Sequence, residues 1–367
     1  LKKIIFILAF ALLVCIGVFM IKFNKTSIEN TYVTKTPISM KLIPQSLNIY
    51  KKISDNLTIR SGVNSDLLFV AASAGAEFKN HPSYLVTNDK YELNNKFKKY
   101  FSGYKYNESA EKIYEAAKSM DNPPKKFVGP ILHDILKYDE NILFNKSNEA
   151  SEVLSCLEKF SQDSKAEEFF KSNNELYIKM INDFTDEINF DYIKRLEDFF
   201  GEKPKNSKFV VVLSTVMDGG QATHIELDDG SVVYYNIMNP SQDKHNNLLT
   251  LYHETAHNFY DVSLKNKDLI AKYLIYSDIV GKNENNFERQ INETIIRAVT
   301  AIVLEKYHPD IDAKKDIITF EKQGYKNLNN IYELIKSEYL TNRQNYKTFN
   351  TFVPVIFEFI KNSSKNN

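Results

Sequence analysis

Cysteine is nearly absent from this chain of 367 residues: there are two, Cys15 and Cys156. Cys15 lies in an apolar N-terminal run, so the remainder of the protein has one thiol and cannot build an internal disulfide framework. Nor can it build a four-cysteine zinc site, which leaves His, Asp and Glu as ligands for any metal. Net charge is also missing, with Lys+Arg and Asp+Glu both at 47. No basic stripe interleaved with aromatics is present, so nucleic acid is not an expected partner. Arginine is confined to Arg60, Arg195, Arg289, Arg297 and Arg343. Tryptophan is absent while lysine, asparagine and isoleucine abound, a composition pointing to an AT-rich coding source. Internal repeats and long low-complexity tracts are lacking too.

What is present is globular: 43% of residues are hydrophobic and 13% aromatic, enough for one large folded unit or two modest ones. The first 25 residues read LKKIIFILAFALLVCIGVFMIKFNK. Between Lys3 and Lys22 run 18 uncharged, mostly apolar residues, Ile4 to Ile21. As a helix this run spans about 27 Å, close to the hydrocarbon thickness of a bilayer. No small-residue cleavage site follows, and Val14 stands where a lipoprotein signal would need a small residue before Cys15. The expectation is an uncleaved signal anchor over residues 1–22. It would hold a single-pass protein at the cell membrane with the rest extracytoplasmic; cleavage would release a secreted protein.

Residues 23–45 are polar, contain two prolines and read as a linker. Residues 46–200 carry mainly helical periodicity, as in NSDLLFVAASAGAEF, where Asn64 or Ser65 is a plausible cap, and in EASEVLSCLEKFSQ. Residues 201–367 form a second part, expected to be continuous with the first. It opens with KFVVVLSTVM, QATHIEL and SVVYYNIM over about 208–238, β-rich runs separated by Asp-Gly turns, and the natural reading is an antiparallel meander.

A helix then carries LLTLYHETAHNFYD, Leu248 to Asp261. Residues four apart on a helix share a face, so His253 and His257 can present imidazole nitrogens to one ion at about 2.0 to 2.1 Å. Glu254, one step round, is badly placed as a ligand but well placed to take a proton from a water on that ion. The bland alternative is three polar residues on an ordinary helix, so a third ligand has to be sought. The metzincin continuation is excluded, because Tyr260 and Ser263 stand where glycine and histidine are needed. ERQINETIIRAVTAIVLEKY, Glu288 to Tyr307, is an amphipathic helix that places Glu293 on it, 36 positions after His257. Arg297, one turn on, could instead be a purely structural partner of Glu293. Asp261, Asp278, Glu284 and Glu288 are nearby carboxylates that could serve in its place. His81 and His133 have no second ligand at metal spacing and read as surface or core residues.

HETAH followed by NETIIRA resembles the gluzincin branch of the zincin metallopeptidases. It is closer still to a group of little-characterised bacterial proteins with a predicted peptidase domain of unknown function. The resemblance covers roughly Leu57 to Ile360, strongly over His253 to Arg297 and loosely through NSDLLFVAASAGAEF, NHPSYL and YLTNRQNYKTFNTFVPVIF. It implies a mostly helical α+β zincin-like fold, one zinc ion on His253, His257 and Glu293, and Glu254 as general base. Arg297 stands where thermolysin-like members have an aspartate that orients a ligand histidine. An inserted segment, LKNKDLIAKYLIYSDIVGKNENN, separates the two helices. Tyr339, Arg343 and Tyr346 are candidate donors to a tetrahedral oxyanion. One of the β-runs could be the edge strand along which an extended peptide pairs, with His224 as a substrate contact or a plain strand histidine.

The function expected is therefore a membrane-anchored zinc metallopeptidase. The alternatives are a catalytically silent surface protein that keeps the fold for binding or scaffolding, and a hydrolase of a non-peptide amide such as cell-wall material.

Overall fold

A hairpin that the helical reading of residues 46–200 overlooked starts the sheet. In a computed structural model, which describes residues 41–79, 92–120, 128–142, 148–204, 206–217, 219–241, 243–261, 265–279 and 287–364, β1 (Tyr50–Ser54) turns at Asp55 and Asn56 into β2 (Leu57–Ser61). The expected anchor and linker lie outside these residues up to position 40, as does His81. Among the described residues no helix is long and apolar enough to cross a membrane.

Helices follow: α1 (Val63–Phe78), α2 (Glu92–Phe101), α3 (Glu108–Met120), α4 (Val128–Asp139), α5 (Asn148–Asp163), α6 (Ala166–Ser172), α7 (Asn174–Glu187) and α8 (Tyr192–Phe200). Helix α1 is the hub. Its Leu67, Leu68, Val70 and Ala71 are buried, and α3 crosses it so closely that a Cβ at Gly75 would sit 2.1 Å from the Ala110 carbonyl oxygen. Neither Asn64 nor Ser65 caps α1, which starts one residue earlier. Asn64 is buried instead, tied to the backbone of Ile43 and to Asp139 Oδ1 at 2.7 Å.

Three strands come next, β3 (Ser207–Leu213), β4 (Gly220–Glu226) and β5 (Val232–Met238), but not as a meander. The order is β1-β2-β3-β5-β4. β3 lies parallel to both β2 and β5, while β4 folds back antiparallel on the outer side of β5. Burial explains the order. Phe209 to Leu213 are buried without a break, the texture of a central parallel strand, whereas β4 is largely exposed and belongs at an edge. The fold is thus α+β, mostly helical, with a five-stranded mixed sheet.

The C-terminal half supplies α9 (Lys244–Phe259), α10 (Lys267–Tyr273), α11 (Phe287–Tyr307), α12 (Ala313–Lys322), α13 (Leu328–Leu334) and α14 (Phe349–Ser364). One continuous hydrophobic core runs from Leu42 to Ile360 through both halves.

Candidate metal centre

Helix α9 begins where the Asp243 side chain accepts a hydrogen bond from the His245 backbone N–H at 3.0 Å, satisfying one of the free amides of the first turn. Its buried residues Leu248, Leu251, Tyr252, Thr255, Ala256 and Phe259 recur at helical spacing and fix one face against the core. A polar chain anchors that face to the sheet: Asn258 Nδ2 donates to Asn236 Oδ1, and Asn236 Nδ2 to Thr255 Oγ1, each at 2.7 Å. On the other side of the helix, Arg195 donates to the Tyr252 hydroxyl at 2.9 Å.

With the helix so pinned, His253 and His257 emerge on the flank that meets α11, opposite Glu293. Their Nε2 atoms are 3.2 Å apart. His253 Nε2 is 3.5 Å from Glu293 Oε2, and His257 Nε2 is 3.5 Å from Glu293 Oε1. These separations are too long for charge-assisted hydrogen bonds, which close to about 2.7–2.9 Å. The separation of the two nitrogens is close to the ~3.3–3.4 Å between ligand atoms on a tetrahedral ion with bonds of about 2.0–2.1 Å, and each carboxylate oxygen faces one nitrogen. Among the described residues these three form the one group of His, Cys, Asp and Glu able to hold a metal ion. Two imidazole nitrogens and a carboxylate suit zinc in composition as well as in size.

The electrostatics differ between the two histidines. Burial, against the pull of Glu293, pushes the His253 imidazole down to about 4, so its ring is neutral and offers a lone pair at pH 7. Burial also disfavours charge on His257, but Glu293, Glu254 and Asp261 outweigh it and raise that group. Burial raises Glu293 as well, and the two histidines overcome it, holding the carboxylate ionised.

Glu254 projects from α9 toward the edge strand β4. It is 8% exposed, and burial pushes its carboxyl up to about 7, while the charges of His257 and Arg297 pull the other way. The strand passes so near that a Cβ on Gly220 would stand 2.6 Å from Glu254 Oε1 and 2.7 Å from Thr250 Cγ2. Glycine is required here by close approach.

Other residues take different places. Tyr339 is fully buried and its hydroxyl donates to the Phe199 carbonyl at 2.6 Å. Arg343 donates to the same carbonyl at 2.9 Å and to that of Asp198 at 3.1 Å. Tyr346 packs edge-on against Phe352 at 5.1 Å. Tyr339 and Arg343, candidates for oxyanion donors, donate here to carbonyls at the C-terminal end of α8, whose last carbonyls need partners. Tyr346 belongs to the aromatic packing beside them. His224 is exposed on β4, its ring beside Tyr234, and its carbonyl is met by His133 Nε2 at 3.1 Å. Asp261 and Glu288 are not in the group, and the side chains of Asp278 and Glu284 lie outside the described residues.

The structural partner suggested for Glu293 does exist: Arg297 Nη2 lies 3.1 Å from Glu293 Oε2. That contact and the approach to both histidines coexist, since the carboxylate uses different directions for each. Asn292 was missed although it adjoins Glu293; its side-chain amide lies 3.4 Å from His257 Nδ1. That contact runs through the amide nitrogen, a donor, so it does not supply the acceptor that Nδ1 would need with a metal on Nε2. Gly220, Phe320 and Tyr325 also escaped notice, because nothing near them in sequence indicates which distant side chain they meet.

Comparison with known proteins gives one family. Residues 129–359 match the model of a domain of unknown function, DUF4932. No curated protein matches the chain, and no solved structure does. The matched stretch is more than half of the chain and contains His253, Glu254, His257 and Glu293, and the protein belongs to the DUF4932 family.

Proposed function

We propose that this protein is a zinc metallopeptidase of gluzincin type, held at the membrane by residues 4–21 with its catalytic part extracytoplasmic. The observation that carries the reading is the convergence of His253 Nε2 and His257 Nε2, 3.2 Å apart, each with one Glu293 carboxylate oxygen 3.5 Å away. These three side chains would hold the ion, and zinc when bound would polarise a water and the scissile carbonyl. Glu254 takes the proton released by the attacking water and hands it to the leaving amine. Burial holds its carboxyl near the pH range where a base is useful.

A structural zinc site has no use for a buried, unligated carboxylate beside the triad, which favours an enzyme over a silent scaffold. The edge position of β4, and its contact with Glu254, support an extended peptide lying along that strand. The test is Glu254→Gln assayed on casein, a peptide library and cell-wall fragments. Retained zinc with a rate reduced about 10²- to 10⁴-fold is expected for loss of a general base. An unchanged rate would remove Glu254 from the mechanism, and hydrolysis of wall fragments alone would change the substrate class to a non-peptide amide.

A further inference from the structure

We propose that Arg297, locked in an aromatic corner, is a positioning residue that orients the Glu293 carboxylate toward the two histidines. The inference rests on the zinc reading above and adds a part that neither the motif nor the family supplies.

An arginine paired with a glutamate four residues earlier on a helix is ordinarily a mobile surface contact worth a few tenths of a kcal/mol, about 0.3–0.5. This pair is different in kind. The Arg297 guanidinium carbon lies 4.1 Å from the Phe320 ring centroid and 4.5 Å from that of Tyr325. Those rings stand at 82° to each other, so the flat cation fits a corner rather than one face. Nη2 is also 3.3 Å from the Tyr325 hydroxyl and 3.1 Å from Glu293 Oε2. The corner is itself held. The Tyr325 N–H bonds the Phe320 carbonyl at 3.2 Å across a turn with Gly324 at φ +109°, a conformation that side chains other than glycine rarely adopt.

A carboxylate on a glutamate can rotate about its last bond with little cost. Facing His253 through one oxygen and His257 through the other, at equal distances of 3.5 Å, demands a fixed plane. A guanidinium that cannot turn supplies it. The side chain is 18% exposed, so solvent does not compete freely for its donors. Arginine also stands where the resembling peptidases have an aspartate acting on a histidine. Here orientation from one turn downstream passes to the carboxylate of Glu293. Lysine at this position would keep the charge and lose both the plane and the stacking.

The experiment compares zinc affinity by chelator competition, and the visible spectrum of the cobalt-substituted protein, for the full chain and for Arg297→Gln, Arg297→Lys and Phe320→Leu. Arg297→Gln is expected to weaken zinc about 10- to 100-fold, the usual effect of removing a partner of a metal ligand. Arg297→Lys should recover less than half of that loss on a logarithmic scale. Phe320→Leu, which keeps the guanidinium and removes one wall, should weaken zinc and alter the cobalt spectrum in the same sense. If Arg297→Gln fails to fold, the other two variants carry the test. Parent-like zinc affinity and cobalt spectra in the folded variants, even with lower melting temperatures, would overturn the proposal and make Arg297 a staple between α11 and α12. A parent chain that takes up no zinc would overturn the metallopeptidase reading itself.

Discussion

His253 and His257 bring their Nε2 atoms to 3.2 Å with their rings at 87°. A shared face of helix explains why the two are neighbours. It does not explain why both nitrogens turn toward a carboxylate on another helix and stop 3.5 Å short of it. The three side chains form a group that could hold a metal ion.

Gly220 tests the fit between the edge strand and Glu254. A methyl group added there would collide with Glu254 Oε1 and Cγ at 2.6 and 2.7 Å. Gly220→Ala should therefore bind zinc as the parent does while hydrolysis falls by about tenfold or more, the cost of moving a general base out of line. Metal content and rate measured on the same sample check this. Unchanged rates would mean that the strand yields and that Glu254 keeps its place.

Tyr339 tests the reassignment of the C-terminal donors. Tyr339→Phe removes a buried hydrogen bond to the Phe199 carbonyl, to which Arg343 still donates, and should cost about 0.5–1.5 kcal/mol of stability. The rate per folded molecule should not change. A fall in rate at constant stability, read from urea unfolding beside an activity assay, would return Tyr339 to the reaction.

Asp66 makes a prediction about pH. It is fully buried on α1, accepting hydrogen bonds from Tyr177 and Ser214, and burial raises its carboxyl from 3.8 to about 7. A carboxyl raised by folding favours the protonated native state. Its contribution is complete below the ordinary value of 3.8 and is lost as pH rises through about 7, at about 1.4 kcal/mol per unit. Asp66→Asn should therefore gain on the parent most at about pH 8 and least at about pH 4. Urea midpoints at the two pH values check it; parallel curves would mean that Asp66 ionises normally in the fold.

The metal helix and its partner were legible because their signals are local. His253 and His257 share a face by spacing alone, and the apolar stripe through Ile291, Ile295, Val299 and Val303 marks α11 as a buried helix that places Glu293 on its flank. The sheet was less legible. Alternation marks strands but does not say which strands pair, and β3 finds its neighbour β2 about 150 residues upstream, at Leu57 opposite Phe209. The hairpin itself left a trace, since Leu57 and Ile59 alternate beyond an Asp-Asn turn. The acceptors of Tyr339 and Arg343, the last carbonyls of α8, were not legible, because sequence shows a donor but not its acceptor. The Phe320–Tyr325 corner around Arg297 lies only 23 and 28 positions downstream, yet no periodic pattern links such residues.

The most direct test of the central claim is zinc per chain in purified residues 23–367, beside Glu293→Ala, after loosely bound metal has been removed. About one zinc in the parent, lost or greatly weakened in the variant, is the predicted result for a three-ligand site. No zinc in the parent after reconstitution, or equal zinc in both proteins, would contradict it.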